Sequence, residues 1–369
     1  MTLKLVSDTG STATVLGDAN KSSGSQAAIM QGYALSVQRQ TKVNFGNFKN
    51  LKKFESDMNA GIASAQDRAK GFLDQTLPNL IRQSTDIDSY FNLQNALGEA
   101  LAPSTPASDA IKMMSAAQEQ AQDYKSKAGQ LVIDLESLRD GLNFDASNFT
   151  TYVQNLNAAV NGDNGVLQSL DDQLGSIDGK IAGAIAGTAL SGLTILGGGL
   201  MIAVGAIAGF VTAGTSTPLV MGGIAVVAAG AAGEVASAVT LSAMLNQKAT
   251  LLQQKSMLTE EVRLAQGVSS GFSTLANGAA NSAQAAQQMA NAWSGLDQHL
   301  GNLIGHLKSG QTNVDYMRKL FQAAAKGDVK NVQADSLLIQ AQLAGVNVQD
   351  VPSGQTVGDF LAATYGKAA

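Results

Sequence analysis

One string in the sequence has the spacing of a catalytic nucleophile. Residues 267–271, Gly-Val-Ser-Ser-Gly, match the G-x-S-x-G pattern, in which a serine on a sharp turn between a strand and a helix attacks an acyl group. That chemistry requires a strand before the serine. Ser269 instead lies within a long stretch of helical periodicity, so we predict that it is not a nucleophile.

The two histidines are the other side chains suited to chemistry. His299 and His306 are seven residues apart and therefore share one face of a helix, beside the predicted core positions Leu300 and Leu307. No further metal-binding side chains follow at helical spacing, as a metal site would need. The pair fits a solvated helix flank, with pH sensing as the alternative role.

The composition argues against several classes of protein. The chain has 369 residues, no cysteine and a formal net charge of −5. Disulfides, thiolate metal sites and cysteine nucleophiles are therefore absent, and the negative charge argues against nucleic-acid binding. No phosphate-binding loop, zinc-protease motif or EF-hand motif occurs. The carboxylates are scattered along helix faces, so the sequence predicts a protein that is not an enzyme and needs no cofactor.

Residues 181–246, here called the apolar segment, are the most informative stretch. Between Lys180 and Glu234 there is no ionisable side chain. The hydrocarbon core of a bilayer, about 30 Å thick, needs about 20 apolar residues per helix. Thr-Ser-Thr at 215–217, followed by Pro218, predicts a turn between two such helices. The sequence therefore predicts a helical hairpin that enters a membrane, the alternative being a hairpin buried inside a soluble bundle.

Large apolar side chains of this hairpin are the residues predicted to contact lipid. They are Ile181, Leu190, Leu193, Ile195, Leu200, Met201, Val204, Ile207, Phe210, Val211, Pro218, Leu219, Val220, Met221, Ile224, Val226 and Val227. Lys180, Glu234 and Lys248 are the charged residues that flank the predicted hairpin, which forms the head of the molecule. Exposing so much apolar surface to water would cost tens of kcal/mol at about 25 cal/mol per Å². A soluble form must therefore bury the hairpin.

A heptad repeat flanks the apolar segment on both sides. Apolar residues alternate steps of three and four over 114–159, where Asp145 is the exception, and over 275–307, where Ser282 is the exception. This pattern predicts two long helices that supercoil against partners.

The two arms have matched lengths about the turn of the hairpin. The number of residues from Pro106 to Ser216 is almost the same as the number from Ser216 to Gly327. We predict an all-α fold, an elongated multi-helix bundle with a coiled-coil tail and an apolar helical-hairpin head. Its parts along the chain are an irregular segment at 1–23, tail helices at 24–105, a first arm at 106–180, the apolar segment at 181–246, a second arm at 247–327 and short helices at 328–369.

The tail helices precede the first arm. Apolar residues at 45, 48, 51, 54 and 58 form a stripe, so a helix is predicted from Ser25 to Leu77. Pro78 has no amide hydrogen and is predicted to end or kink that helix. A second helix is predicted from Asn79 to Leu101.

Glycines interrupt the helical pattern at two levels. The stretch 161–165 precedes Ser216 by the same distance along the chain at which Gly267 and Gly271 follow it. Glycine destabilises a helix by about 1 kcal/mol relative to alanine. The paired glycines therefore predict a joint at one level of the two arms, and the alternative is that each glycine causes an independent kink at the surface. The glycine triplet at 197–199 predicts a second joint, the alternative being close helix packing. The candidate hinge residues are Gly162, Gly165, Gly197, Gly198, Gly199, Gly267 and Gly271.

An uncharged, Gly- and Ala-rich hairpin between two coiled-coil arms resembles the cytolysin A superfamily of α-helical pore-forming toxins. The layout is most similar to the B component of tripartite toxins, a group that includes the haemolysin BL family. The resemblance implies a secreted, water-soluble protein whose head unfolds from the tail, inserts into a target membrane and assembles into a lytic pore with further copies and companion subunits. Residues 1–17 contain no apolar signal-peptide region, so we expect another export route.

Neither predicted hairpin helix is amphipathic. A ring made of this chain alone would have a poorly wetted apolar lumen, so we expect a companion subunit with an amphipathic head to line the pore. Two other functions fit the same pattern. One is a hydrophobic translocator of a type III secretion needle, and the other is a structural coiled-coil protein that never meets a membrane.

Overall fold

The computed structural model describes residues 2–39, 42, 52–159, 164, 167–177, 179–180, 200–203, 225–229, 247, 260–325, 328–344 and 347–350. Its helices are α1 (Thr2–Arg39), α2 (Lys52–Gly71), α3 (Leu77–Ala100), α4 (Ala107–Ala159), α5 (Glu260–Lys308), α6 (Val314–Ala325) and α7 (Asp328–Ala344). Residues 167–177 are also helical. The strands are β1 (Leu200–Ala203), β2 (Ala225–Ala229) and β3 (Asn347–Asp350). The predicted helical fold class is confirmed, with one small sheet added to it.

The chain divides into two compact units. Unit 1 contains Met1–Gly24, Pro78–Leu135 and Asn281–Ala341, and unit 2 contains Ser25–Leu77, Glu136–Ala280 and Gln342–Ala369. Each unit collects three separate stretches of sequence. The predicted parts, in contrast, follow one another along the chain.

Aromatic side chains form the centre of the core of unit 1. Trp293 of α5 is 1% exposed. Its ring centroid lies 5.2 Å from that of Tyr90 on α3, edge to face, and 5.0 Å from that of Tyr124 on α4. The predicted heptad positions Met114, Ala117, Ala121, Ala128, Leu296, Leu300, Leu303 and Leu307 are buried in the same core. The heptad prediction is therefore confirmed for the parts of α4 and α5 in this unit.

The prediction that residues 1–23 are irregular is wrong. Helix α1 begins at Thr2 and buries Leu16 completely. Gly17 and Gly24 lie where α7 packs against α1. A Cβ atom at Gly17 would lie 2.7 Å from Val332 Cγ2, and one at Gly24 would lie 2.8 Å from Ile339 Cγ2. These glycines admit side chains of α7, and the burial this allows outweighs their low helix propensity.

A buried polar contact lies between Gly17 and Gly24 of α1. The Asn20 amide donates to the Ser336 hydroxyl over 2.9 Å, and the Asn20 carbonyl oxygen accepts from the Ser84 hydroxyl over 2.7 Å. Lys21 and Asp335 form an ion pair of 2.8 Å beside it. Because buried polar atoms must find partners, this contact fixes the register of α7 on α1.

We expect Gly17→Ala to destabilise the protein, although alanine is the better helix former. The added methyl group collides with Val332, and overpacking of this kind costs about 1–3 kcal/mol, more than the gain of about 1 kcal/mol in helix propensity. Chemical denaturation measures the change. Gly129 of α4 is the matched control, because a Cβ atom there meets nothing within 4 Å. Gly129→Ala should stabilise the protein, and equal effects at both sites would contradict the close contact of α1 with α7.

Two predicted helix boundaries are corrected by the structure. The helix predicted over 25–77 is divided, because α1 ends at Arg39 and α2 begins at Lys52. Pro78 does not end the helical path. A π-helix at Phe72–Thr76 joins α2 to α3, and the Leu77 amide donates to the Phe72 carbonyl. Such a wide turn absorbs the missing amide and the bulk of the proline ring.

Helix α5 ends before the predicted boundary of the second arm at residue 327. Its last residue, Lys308, follows Leu307, the last predicted heptad position. Gly310 has φ 69°, a conformation that favours glycine and ends the helix. The Asn313 side chain then accepts from the Tyr316 amide over 2.9 Å and caps the start of α6.

In unit 2, the charged exception in the heptad repeat has partners. Asp145 of α4 is 3% exposed. It accepts hydrogen bonds from the Ser64 hydroxyl over 3.0 Å and from Arg68 Nε over 2.7 Å, both on α2. A carboxylate is tolerated in this seam because α2 neutralises it and satisfies its oxygens.

We expect Arg68→Met to destabilise unit 2. Removing one partner of a buried ion pair lowers the free energy of unfolding by about 3–5 kcal/mol. The loss is smaller when one partner is partly exposed, as Arg68 is, and we expect about 2 kcal/mol here. Adding Asp145→Leu should restore most of the loss, because no unpaired carboxylate then remains. A double-mutant cycle by chemical denaturation measures the coupling. Additive effects of the two substitutions would show that the pair does not interact.

Candidate membrane-insertion site

Four of the residues predicted to contact lipid lie in the described part of the chain. Leu200 and Met201 belong to β1, and Val226 and Val227 belong to β2. The rest lie outside the described residues. They are Ile181, Leu190, Leu193, Ile195, Val204, Ile207, Phe210, Val211, Pro218, Leu219, Val220, Met221 and Ile224.

These four residues are in strands, whereas the sequence predicted helices. Short apolar runs do not distinguish a buried strand from a buried helix by periodicity. Glycines precede both strands, at 197–199 and at 222–223, and they disfavour helix at those points. The prediction of a helical hairpin is therefore wrong for Leu200–Ala203 and Ala225–Ala229 in this conformation.

The two strands of the apolar segment pair with each other. They run antiparallel, with Leu200 opposite Ala229 and Ala203 opposite Val226. Residues 204–224, which include the predicted turn, connect them. The predicted reversal of the chain is thus confirmed for β1 and β2, which run side by side in opposite directions.

The third strand comes from the C-terminal part of the chain. β3 pairs antiparallel with β2, with Ala225 opposite Asp350 and Ala228 opposite Asn347. β2 is therefore the central strand of the sheet, in the order β1-β2-β3. Sequence reasoning missed β3. The signal was a short alternation of apolar and polar residues around Val348, too brief to predict a strand.

The predicted hinges and flanking charges are only partly described. Gly267 and Gly271 both lie within α5, which runs through them without a break. Lys180 is helical and exposed. The others, Gly162, Gly165, Gly197, Gly198, Gly199, Glu234 and Lys248, lie outside the described residues.

The serine of the G-x-S-x-G string lies in the helix α5, as predicted. Ser269 is 2% exposed, and its hydroxyl lies 3.1 Å from the Thr150 hydroxyl of α4. A buried hydroxyl within a continuous helix lacks the strand-to-helix turn that presents a nucleophile.

The described residues contain neither a helix that could span a membrane nor a group of side chains that could bind a metal ion. Over the described ranges, no helix is both long enough and apolar enough to cross a bilayer. Within those same ranges, His, Asp and Glu side chains do not gather in groups of three or more that could hold a metal ion.

Comparison with known proteins identifies the family. A family model described as Bacillus haemolytic enterotoxin (HBL) matches residues 11–184. Soluble AhlB, of the tripartite α-pore-forming toxin AHL from Aeromonas hydrophila, is 38% identical with a TM-score of 0.84, over 95% of this chain and 99% of AhlB. The chain belongs to the tripartite α-pore-forming toxin family. Soluble SmhB of the toxin Smh from Serratia marcescens is 36% identical with a TM-score of 0.84, over 95% and 98% of the two chains. Comparison with curated protein sequences gives no match.

The family is known in more than one conformation. The pore form of AhlB is 33% identical to this chain, with a TM-score of 0.63, and the match covers 92% of this chain and 99% of AhlB. The soluble form of the same protein has a TM-score of 0.84. The backbone described here is therefore more similar to the soluble form of the toxin protein than to its pore form.

Proposed function

We propose that this chain is the membrane-inserting B-type component of a tripartite pore-forming toxin, and that the apolar segment at 181–246 is the part that enters lipid. The observation that supports this most strongly is the similarity to AhlB, which has been seen in soluble and pore forms. The ionisable-free run between Lys180 and Glu234 gives the physical basis.

The sheet of the soluble conformation must open before insertion. Its strands have four or five residues, whereas a strand needs about 9–11 residues to cross a bilayer. Open sheet edges are not tolerated in lipid, because their amides and carbonyls find no partners there. Two membrane helices satisfy every backbone group internally. The apolar segment therefore converts from paired strands to a helical hairpin when it inserts.

Strand β3 must separate from β2 in that transition. It contains Asn347, Gln349 and Asp350. A buried Asp costs about 2.5–3.5 kcal/mol at the centre of a membrane helix, so this strand does not follow the apolar segment into lipid. Pairing of β3 with β2 thus protects the soluble form and is lost in the pore.

Glycines supply the joints of the transition. We assign one joint to Gly162, Gly165, Gly267 and Gly271 in the arms. We assign a second joint to residues 197–199 in the apolar segment. Lys180, Glu234 and Lys248 remain at the water boundary, where their charges resist entry into lipid.

Companion subunits complete the pore. SmhA, another protein of the Smh toxin, has the same fold at 15% identity. Since the apolar segment offers no polar stripe, this chain forms the ring together with a companion whose amphipathic head lines the lumen. The chain acts outside the cell that makes it, first in water and then in a target membrane. It acts by assembly and without catalysis.

Leakage from dye-loaded vesicles tests this function. The chain should bind vesicles alone and release dye efficiently only when its companions are added. Failure to bind lipid under either condition would overturn the proposed function. Rapid release of water-soluble dye by this chain alone would instead remove the need for an amphipathic companion.

A further inference from the structure

Helix α5 carries an uncharged exposed face in unit 1. Residues 264–296 contain no ionisable side chain. Between residues 281 and 302 of α5, every exposed side chain is a carboxamide, and these residues are here called the amide face. They are Asn281, Gln284, Gln287, Gln288, Asn291, Gln298 and Asn302.

The amide face is continuous. At 100° per residue its members fall within a sector of about 120°, and they extend over about 32 Å along the helix. The opposite side of α5 carries Met289, Trp293 and Leu300, which are buried in the core of unit 1. His299, partly buried, lies at the edge of the face. The face is therefore the solvent side of a helix whose other side is fixed in the core.

Neighbouring surfaces of the same unit are charged. Helix α4 exposes Lys112, Glu119, Asp123, Lys125 and Lys127. Solvent-facing helix positions ordinarily carry such residues, because charges keep a surface soluble and unassociated. The lack of charge is thus a property of the amide face and not of the unit.

We infer that the amide face is a contact surface between copies of this chain in the assembled ring, an inference that rests on the proposed function. Removing water from a carboxamide costs less free energy than removing it from a charged group. Charged residues are accordingly depleted at the centres of interfaces. Each amide both donates and accepts hydrogen bonds. In a closed ring the contact is head-to-tail, so this face meets a different surface of the next copy.

The charge of the chain favours a second copy as the occupant. Each copy has a formal net charge of −5, so two copies repel one another, and a contact through an uncharged face adds no close pair of like charges to that repulsion. A different protein could be attracted by complementary charges, which this face lacks. A lipid surface would be bound by Lys, Arg or large apolar side chains, and this face has none of them.

Added charge on the amide face tests the inference. The variant Gln284→Lys with Asn291→Lys is compared with Ala116→Lys plus Gln130→Lys, which adds the same charge at exposed positions of α4. Flotation with phosphatidylcholine vesicles measures membrane binding. Mass photometry after detergent extraction measures oligomers. We expect the amide-face variant to bind vesicles within twofold of the unaltered chain and to give at least tenfold fewer oligomers, while the α4 variant gives a normal yield.

A neutral substitution separates charge from loss of the amides. Gln284→Ser with Asn291→Ser should retain oligomers, since no charge must be desolvated. Normal oligomers in the amide-face lysine variant, or equal loss in the α4 variant, would overturn the inference while leaving the proposed function intact. Loss of oligomers only when companions are present would assign the face to a companion instead and would also overturn it. Absence of vesicle binding by the unaltered chain would overturn the proposed function and the inference with it.

Discussion

A disulfide between β2 and β3 should abolish lysis until it is reduced. Ala228 and Asn347 are directly opposite in the antiparallel pair. Opposite residues in such a pair have Cα atoms about 4.5–5.5 Å apart, within the range that a disulfide accepts. The variant Ala228→Cys with Asn347→Cys would hold the polar strand on the apolar one, so the apolar segment could not enter lipid. We expect at least a hundredfold slower lysis of red cells in the presence of the companions.

The natural chain has no cysteine, so this experiment has clean controls. Each single cysteine variant should lyse cells normally under oxidising conditions. Reductant should restore lysis by the double variant. If the oxidised double variant, with its disulfide confirmed by mass spectrometry, lyses cells at the normal rate, then β3 need not leave β2 and the proposed opening of the sheet is wrong.

Truncation of the central aromatic residue of unit 1 should cause the largest loss of stability. Trp293 is 1% exposed and contacts the rings of Tyr90 and Tyr124. Replacing a buried Trp with Ala leaves a cavity and costs about 3–5 kcal/mol. We therefore expect Trp293→Ala to lower the free energy of unfolding by that amount, measured by urea denaturation followed by circular dichroism.

Phe144 is the matched control for this substitution. It is also aromatic and helical, but its side chain is 63% exposed. Phe144→Ala should change the free energy of unfolding by less than about 0.5 kcal/mol, as is usual for surface positions. Equal losses for Trp293→Ala and Phe144→Ala would contradict the assignment of the core.

The helical arms could be predicted from the sequence because burial repeats there with a regular period. Residues such as Met114, Ala121, Leu296 and Leu303 follow steps of three and four, and all of them are buried. The exception at Asp145 could be seen in the sequence, but its partner could not. Arg68 is distant along the chain, and only the packing of α2 against α4 brings it to the carboxylate.

Features that depend on distant partners escaped prediction. Residues 1–23 were predicted to be irregular, because the packing of Val332 against Gly17 and of Ile339 against Gly24 cannot be foreseen without knowledge of α7. The strands of the apolar segment read as helix, since their runs are short and apolar and since β3, far along the chain, supplies part of the sheet. The same apolar composition suits a helix in lipid. A helical hairpin is therefore the form that we propose for this segment in the membrane, and the strands belong to the soluble form.

Fluorescence quenching by lipid gives the most direct test of the central claim, that the apolar segment enters the bilayer. A single cysteine in place of Phe210 would carry an environment-sensitive fluorophore, and a single cysteine in place of Gln130 on α4 would carry the control label. We predict that nitroxides on the acyl chains quench the label at position 210 as vesicles begin to leak with all companions present, and that they leave the label at position 130 unquenched. Leakage at the full rate while the label at position 210 stays unquenched would contradict the account.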